Sequence, residues 1–206
     1  MTSNISEVSE QLAADIDLLQ TEKPHLTNLL QALRPILLAT EDQLAKMVDS
    51  PSPPPVAIDT VQYLGGISLI QQGQLFLADD PWQVAGLAIA AAIANGFPNL
   101  AEDMAALAEQ IKDGRCDCHG LITGSDDTVE LAVQAENLGL KTFSLQFFEH
   151  FLSRLFLIKR ARQMAEALAG QSWKKGYCPV CGSFPQLAII REKGQKWLQC
   201  SLCSHE

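Results

Sequence analysis

The sequence predicts a mainly α chain, with a multi-helix domain over residues 1–172 followed by a small four-cysteine β ribbon over residues 173–206. Three observations carry this expectation. Alanine and leucine dominate an apolar content of 47%, whereas aromatics make up 6%, and these two side chains lose little rotamer freedom in a helix. Apolar residues recur at helical spacing through most of the first 172 positions. Four of the six cysteines stand in two Cys-x-x-Cys pairs close to Glu206.

The helices follow in order. Ser6 to Leu19 places Leu12, Ile16 and Leu19 on one side, and Lys23-Pro24 breaks the pattern. Leu26 to Val48 carries Leu29, Leu30, Leu33, Ile36, Leu37 and Leu44, with Pro35 inside the run predicting a kink or break. Ser50 to Pro55 reads as an extended, polyproline-like connector. Thr60 to Gln71 is a short helix in spite of Gly65 and Gly66. Pro81 suits a first turn, with Asp79 or Asp80 as its cap, and Trp82 to Ala94 is apolar on all sides, the mark of a buried central helix. Asn95-Gly96 ends it, and Leu100 to Ile111 forms the next. Asp126 or Asp127 caps a helix through Asn137, which Gly139 terminates. The run from Thr142 to Leu168 sets Phe143, Phe147, Phe151 and Leu155 on one row and Phe148, Leu152 and Phe156 on the adjacent row, both expected to pack.

Charge is uneven. The net charge is −9, but residues 1–140 hold five basic and twenty acidic side chains, and residues 141–206 hold ten basic and four acidic. Phosphate contacts need clustered Lys and Arg, so nucleic-acid binding by the whole chain is disfavoured. Met1 to Glu10 lacks a basic segment followed by an apolar one, and Trp82 to Ala94 is too short to span a bilayer. The expectation is a cytoplasmic protein with no membrane insertion. In a reducing compartment, clustered cysteines point to metal or catalysis rather than disulfides.

The strongest motif is Tyr177-Cys178-Pro-Val-Cys181-Gly182-Ser183, then Cys200-Ser-Leu-Cys203 after eighteen intervening residues. Two residues between cysteines let the backbone curl so that both thiolates face one ion, and Gly182 permits the tight turn that follows. Leu187 to Arg191 and Lys196 to Gln199 resemble two short strands, joined by a Gly-bearing turn over Glu192 to Gln195. A hairpin there brings the two knuckles together, as in zinc ribbons and rubredoxin-like sites. Cys178, Cys181, Cys200 and Cys203 are therefore the expected ligands of one zinc or iron ion, and the donor set suits either metal. Four protein ligands leave no open position, which argues against hydrolytic metal catalysis. Lys174, Lys175, Arg191, Lys193 and Lys196 stand near the site in sequence, offset its negative charge and are candidates for partner binding.

Arg115-Cys116-Asp117-Cys118-His119 is a second concentration of soft ligands, flanked by Gly114 and Gly120 and expected to be an exposed or half-buried loop. Cys116, Cys118 and His119 are candidates for a redox pair or a secondary metal site, and a Cys-x-Cys disulfide ring would be small and strained. His150 lies within the aromatic helix, His25 beside Pro24, and His205 two residues after Cys203. No nucleophile elbow, P-loop or dinucleotide fingerprint occurs, so no catalytic residue is assigned.

The pattern Trp173-x-x-Gly176-x-Cys178-Pro-Val-Cys181-Gly182-Ser183-x-Pro185, with Leu198-x-Cys200-Ser-Leu-Cys203-x-x-Glu206, resembles the formate dehydrogenase accessory protein FdhE family. The helical stretch before it agrees with that family in length and character. The resemblance implies a cytoplasmic maturation factor, chaperone-like and not an enzyme. It would bind the catalytic subunit of a molybdenum- or tungsten-dependent formate dehydrogenase before assembly or export. It also implies a rubredoxin-like metal site, iron included, on the first two cysteine pairs. The family pattern continues with a Trp, further strands and two more cysteine pairs, whereas this sequence ends at Glu206, as a truncated chain or a shorter relative would. Two alternatives stand beside this reading. One is a zinc-ribbon nucleic-acid-binding module using the ribbon lysines and Trp197. The other is a thiol or electron-transfer protein using the metal or the Cys116–Cys118 pair. Oligomeric state is not readable from the sequence.

Overall fold

A computed structural model describes residues 5–48, 57–73, 75–124, 128–190, 194 and 196–205. Its helices are α1 (Ile5–Glu22), α2 (Thr27–Val48), α3 (Thr60–Gly65), α4 (Trp82–Gly96), α5 (Ala101–Lys112), α6 (Cys118–Gly124), α7 (Thr128–Asn137) and α8 (Thr142–Ala169). Single 3-10 turns at Pro24–Leu26 and Pro98–Leu100 lead into α2 and α5. Two strands, β1 (Leu187–Ile190) and β2 (Lys196–Gln199), pair antiparallel with Leu187 opposite Gln199 and Ile190 opposite Lys196. The mainly α chain with a small C-terminal β ribbon is thus what the structure contains. The connector at Ser50 to Pro55 and the Asp126–Asp127 cap lie outside the described residues.

The chain divides into two compact units, Met1–Ser50 with Pro81–Leu152, and Pro51–Asp80 with Ser153–Glu206. In the first unit α4 is central and α2 and α5 pack against it. Ala85, Ile89, Ala90 and Ile93 of α4 are fully buried, as expected of a helix apolar all round. Gly96 makes the α2–α4 approach feasible, since a Cβ there would stand 2.0 Å from the Ala32 carbonyl oxygen. α2 continues through Pro35, so the expected interruption is not a break, and the burial of Ile36 and Leu44 supports the helix around it. Of the two aromatic rows on α8, Phe148, Leu152 and Phe156 are fully buried. Phe143 is exposed, whereas Phe147 stacks edge-on with Phe97 and Phe151.

In the second unit the helix expected over Thr60 to Gln71 is shorter. Asp59 caps α3 by accepting from Val61 and Gln62 N–H, and Gly66 ends it at φ 100°, a conformation glycine adopts without strain. The reason for the early stop is competition for hydrogen bonds. Leu69 and Ile70 N–H, which a longer helix would direct four residues back, donate instead to the Pro179 and Val180 carbonyls at 2.9 Å. Nor do Asp79 or Asp80 cap α4, which starts after Pro81 with no side-chain cap. Asp80 is buried and accepts from Lys159 Nζ at 2.6 Å and from Arg160 Nη2. Arg160 also donates to the Leu75 carbonyl and to Gln163, so its guanidinium has several acceptors. This clasp holds the 75–80 segment to the second half of α8.

Candidate metal centre

The second unit buries its four ribbon cysteines in one core with Tyr63, Leu69, Leu75, Leu157, Met164 and Val180. The two knuckles that carry them share one backbone design. In the first, Cys178 N–H donates to the Ser183 carbonyl and Gly182 N–H to the Cys178 carbonyl, at 2.8 and 3.0 Å. In the second, Cys200 N–H donates to the His205 carbonyl and Ser204 N–H to the Cys200 carbonyl, at 2.9 and 3.0 Å. The residue after the second cysteine is left-handed in both, Gly182 at φ 74° and Ser204 at φ 60°. Sequence reasoning recognised the glycine but not Ser204. The signal available was its equivalent place one residue after a Cys-x-x-Cys pair.

The hairpin β1–β2 joins the knuckles, and their sulfurs meet. Cys178 Sγ lies 3.5 Å from Cys203 Sγ, and Cys181 Sγ 3.4 Å from Cys200 Sγ. All four sulfurs lie within 4.8 Å of one another. That is too far for a disulfide bond, whose S–S length is about 2.05 Å. It brackets the roughly 3.8 Å sulfur–sulfur edge that a tetrahedron with a Zn–S length of about 2.3 Å requires. The thiols also share charge. Hydrogen bonds from Cys178 and Cys203 hold the Cys181 thiol down to about 2. Its own hydrogen bond to Cys181 pushes Cys178 up to about 12, and hydrogen bonds to Cys178 and Cys181, with burial, raise Cys203 as well. Cys181 thus accepts hydrogen bonds from its protonated neighbours. A divalent cation with the same four donors would displace those protons and offset part of the thiolate charge. The donor set fits zinc or iron, and it could hold one ion.

The remaining candidates are placed differently. Cys116 and Cys118 are buried rather than exposed or half-buried, and Cys118 opens α6 instead of lying in a loop. Asp117 explains the difference, because its carboxylate accepts from His119 and Gly120 N–H at 3.1 and 3.0 Å and starts the helix. Cys118 packs on α4 at Gly86, where a Cβ would stand 2.6 Å from its sulfur. A hydrogen bond between the two thiols lowers Cys116 and raises Cys118. His119 turns its ring to Trp82, with centroids 5.3 Å apart. Among the described residues, the only group of three or more clustered metal-ligating side chains is that of the ribbon cysteines, so Cys116, Cys118 and His119 are not brought together as ligands. Lys174, Lys175 and Lys196 are exposed beside the ribbon, while Arg191 and Lys193 lie outside the described residues. His25 and His150 are exposed, and His205 enters the second knuckle through its carbonyl.

A mainly helical chain whose last residues fold into a closed four-thiol ribbon is defined by this architecture. Residues 177–206 match the family profile described as FdhE, central domain. The chain is also similar to the Protein FdhE homolog of Erwinia tasmaniensis, 39% identical over 49 residues that cover 21% of this chain and 16% of that protein. Both matches show similarity to FdhE proteins over a short part of the chain. The match thus spans about a sixth of that relative's length. No solved structure is significantly similar to the chain. Among the described residues, no helix is long and apolar enough to cross a membrane.

Proposed function

We propose that this chain is an accessory protein that binds the catalytic subunit of formate dehydrogenase, or of a related molybdenum- or tungsten-dependent redox enzyme. It does so in the cytoplasm and assists activation before assembly or export, as a maturation factor and not as an enzyme. The observation that carries this reading is the coincidence of two findings on one segment. The residues that match the FdhE central domain are those whose four sulfurs converge. In this reading Cys178, Cys181, Cys200 and Cys203 hold one zinc or iron ion. Residues 173–206 act as the metal-ribbon module and residues 1–172 as its helical part. Lys174, Lys175, Arg191, Lys193 and Lys196 present positive charge to the client.

The bound ion supplies a closed tetrathiolate cross-link in place of a larger apolar core. The chain's own residues do the rest. Leu69 and Ile70 brace the first knuckle from outside through the Pro179 and Val180 carbonyls. The test is activation in cells by the double variant Cys178→Ser, Cys181→Ser, with metal content and visible spectrum measured on anaerobically purified protein. Loss of enzyme activation together with loss of one zinc or iron per chain is expected. Full activation by the variant would overturn the proposal.

A further inference from the structure

Inside the second unit, a cleft of about 790 Å³ lies beside the thiol cluster, and every described residue that lines it belongs to that unit. Its volume falls in the range of roughly 300–1,000 Å³ typical of small-molecule sites. Cys178, Cys200 and Cys203 line it and Cys181 does not, so the cleft lies against one side of the cluster and extends away from it. One wall is the second half of α8. Ala161, Ala165 and Ala169 recur four apart there, and side chains this small leave room that a row of leucines would fill.

Aromatic residues make another part of the lining. Trp173 packs on Tyr63 with ring centroids 4.7 Å apart and meets Tyr177 edge-on at 5.4 Å. Their polar atoms are engaged elsewhere. Trp173 Nε1 donates to the Tyr177 carbonyl at 2.6 Å, and the Tyr177 hydroxyl donates to the Gly66 carbonyl. The two rings are thereby held in place, and what they offer a ligand is π surface, not a donor. Lys175 and Lys196 also line the cleft and are exposed, which sets them where it meets solvent. No Asp or Glu lines it among the described residues. No helix N-terminus lines it either, so it lacks the backbone cradle that binds polyphosphates.

We propose that this cleft is a binding site for a small aromatic carboxylate. The flat ring system packs on the alanine wall and on the Trp173 and Tyr177 rings, and the carboxylate meets the ammonium groups of Lys175 and Lys196. A ring is favoured over an aliphatic chain because contact between aromatic rings adds to what area burial gives. One carboxylate is favoured over a polyphosphate because the two lysines act as point charges with no ring of backbone N–H groups behind them. This goes beyond the accessory-protein reading and does not rest on it.

The test is isothermal titration calorimetry on the full metal-loaded chain with three probes of similar size. Naphthalenecarboxylate should bind with a Kd below about 1 mM. Naphthylmethylammonium, which reverses the charge, and cyclohexanecarboxylate, which removes the aromatic ring, should each bind about tenfold more weakly or not at all. Lys175→Gln, Lys196→Gln protein that keeps its metal should lose about tenfold in affinity for naphthalenecarboxylate, the scale of one charge-assisted hydrogen bond. Ala165 is exposed on α8, so Ala165→Phe should fill the cleft without disturbing the core and abolish binding at unchanged metal content. No binding of naphthalenecarboxylate, equal binding of the cation or of the aliphatic acid, or full affinity in either variant would each overturn the proposal.

Discussion

The two units differ in what fills their centres. The first is built from apolar helix faces, with Ile36, Ala85, Ile89, Ile93, Leu107 and Phe148 sealed from solvent. The second adds to its apolar core four clustered cysteines and a buried ionic clasp of Asp80, Lys159 and Arg160, and draws these from segments far apart in sequence. A helix bundle can rely on burial alone, at about 25 cal/mol per Å² of apolar surface. A hairpin of two four-residue strands cannot, because an isolated two-stranded ribbon is marginal in water. The contrast teaches that the second unit gathers thiols and buried charges where the first relies on apolar shape.

The largest expected effect is metal removal. Structural zinc contributes on the order of 10–16 kcal/mol to the folding of small ribbons. Chelation should therefore melt the second unit, including α3 and the 66–73 turns that donate to the first knuckle, and leave α2, α4 and α5 protected. Hydrogen exchange read by mass spectrometry checks this, and uniform loss of protection would abolish the contrast. The sign with pH follows from the thiols. Cys178 and Cys203 are raised in the metal-free cluster, so ligation displaces protons, and affinity should rise with pH and fall on acidification.

Asp80→Ala leaves Lys159 and Arg160 buried without their shared anion, which should cost about 3–5 kcal/mol, confined to the second unit. Urea unfolding with hydrogen exchange locates the loss. Gly96→Ala is the counterpart in the first unit. Its Cβ meets backbone at Ala32, so α2 or α4 must shift, at about 1–3 kcal/mol and with no change in metal content. Ser204→Gly should act in the opposite direction. Relief of a left-handed non-glycine residue stabilises the second knuckle by about 1–2 kcal/mol and should raise the chelator concentration needed for metal loss. Smallest is Glu149→Gln. Burial raises the Glu149 carboxyl, so its stabilising contribution is complete below its unfolded value and is lost as pH rises through the folded one. The Gln variant should flatten that slope in thermal melts, and an unchanged slope would remove Glu149 from the account.

Much of this was legible from local pattern. The helices expected over Trp82 to Ala94, from its all-round apolar character, and Thr142 to Leu168, from its apolar rows, stand as Trp82–Gly96 and Thr142–Ala169, and the hairpin came from short apolar runs around a glycine turn. What failed did so for tertiary reasons. Thr60 to Gln71 has helical composition through Ile70, but the N–H groups of Leu69 and Ile70 find better acceptors in a knuckle more than a hundred residues away. Asp80 had the residue type and place of a cap, yet two cations on α8 claim it. Cys116 and Cys118 have the glycine-flanked setting of an exposed or half-buried loop, and Gly86 gives Cys118 a buried place against α4 instead.

By itself, then, the sequence determined which four thiols converge, because Cys-x-x-Cys spacing is a local geometric constraint. It also determined the helical class, because 3.6-residue periodicity is local too. Only the tertiary structure decided that the ribbon shares its core with residues 57–80 and the second half of α8. It alone showed that Lys175 and Lys196 line one cleft beside the ribbon. Those outcomes depend on hydrogen bonds and burial between distant segments, whose partners are set by which surfaces meet and not by spacing along the chain.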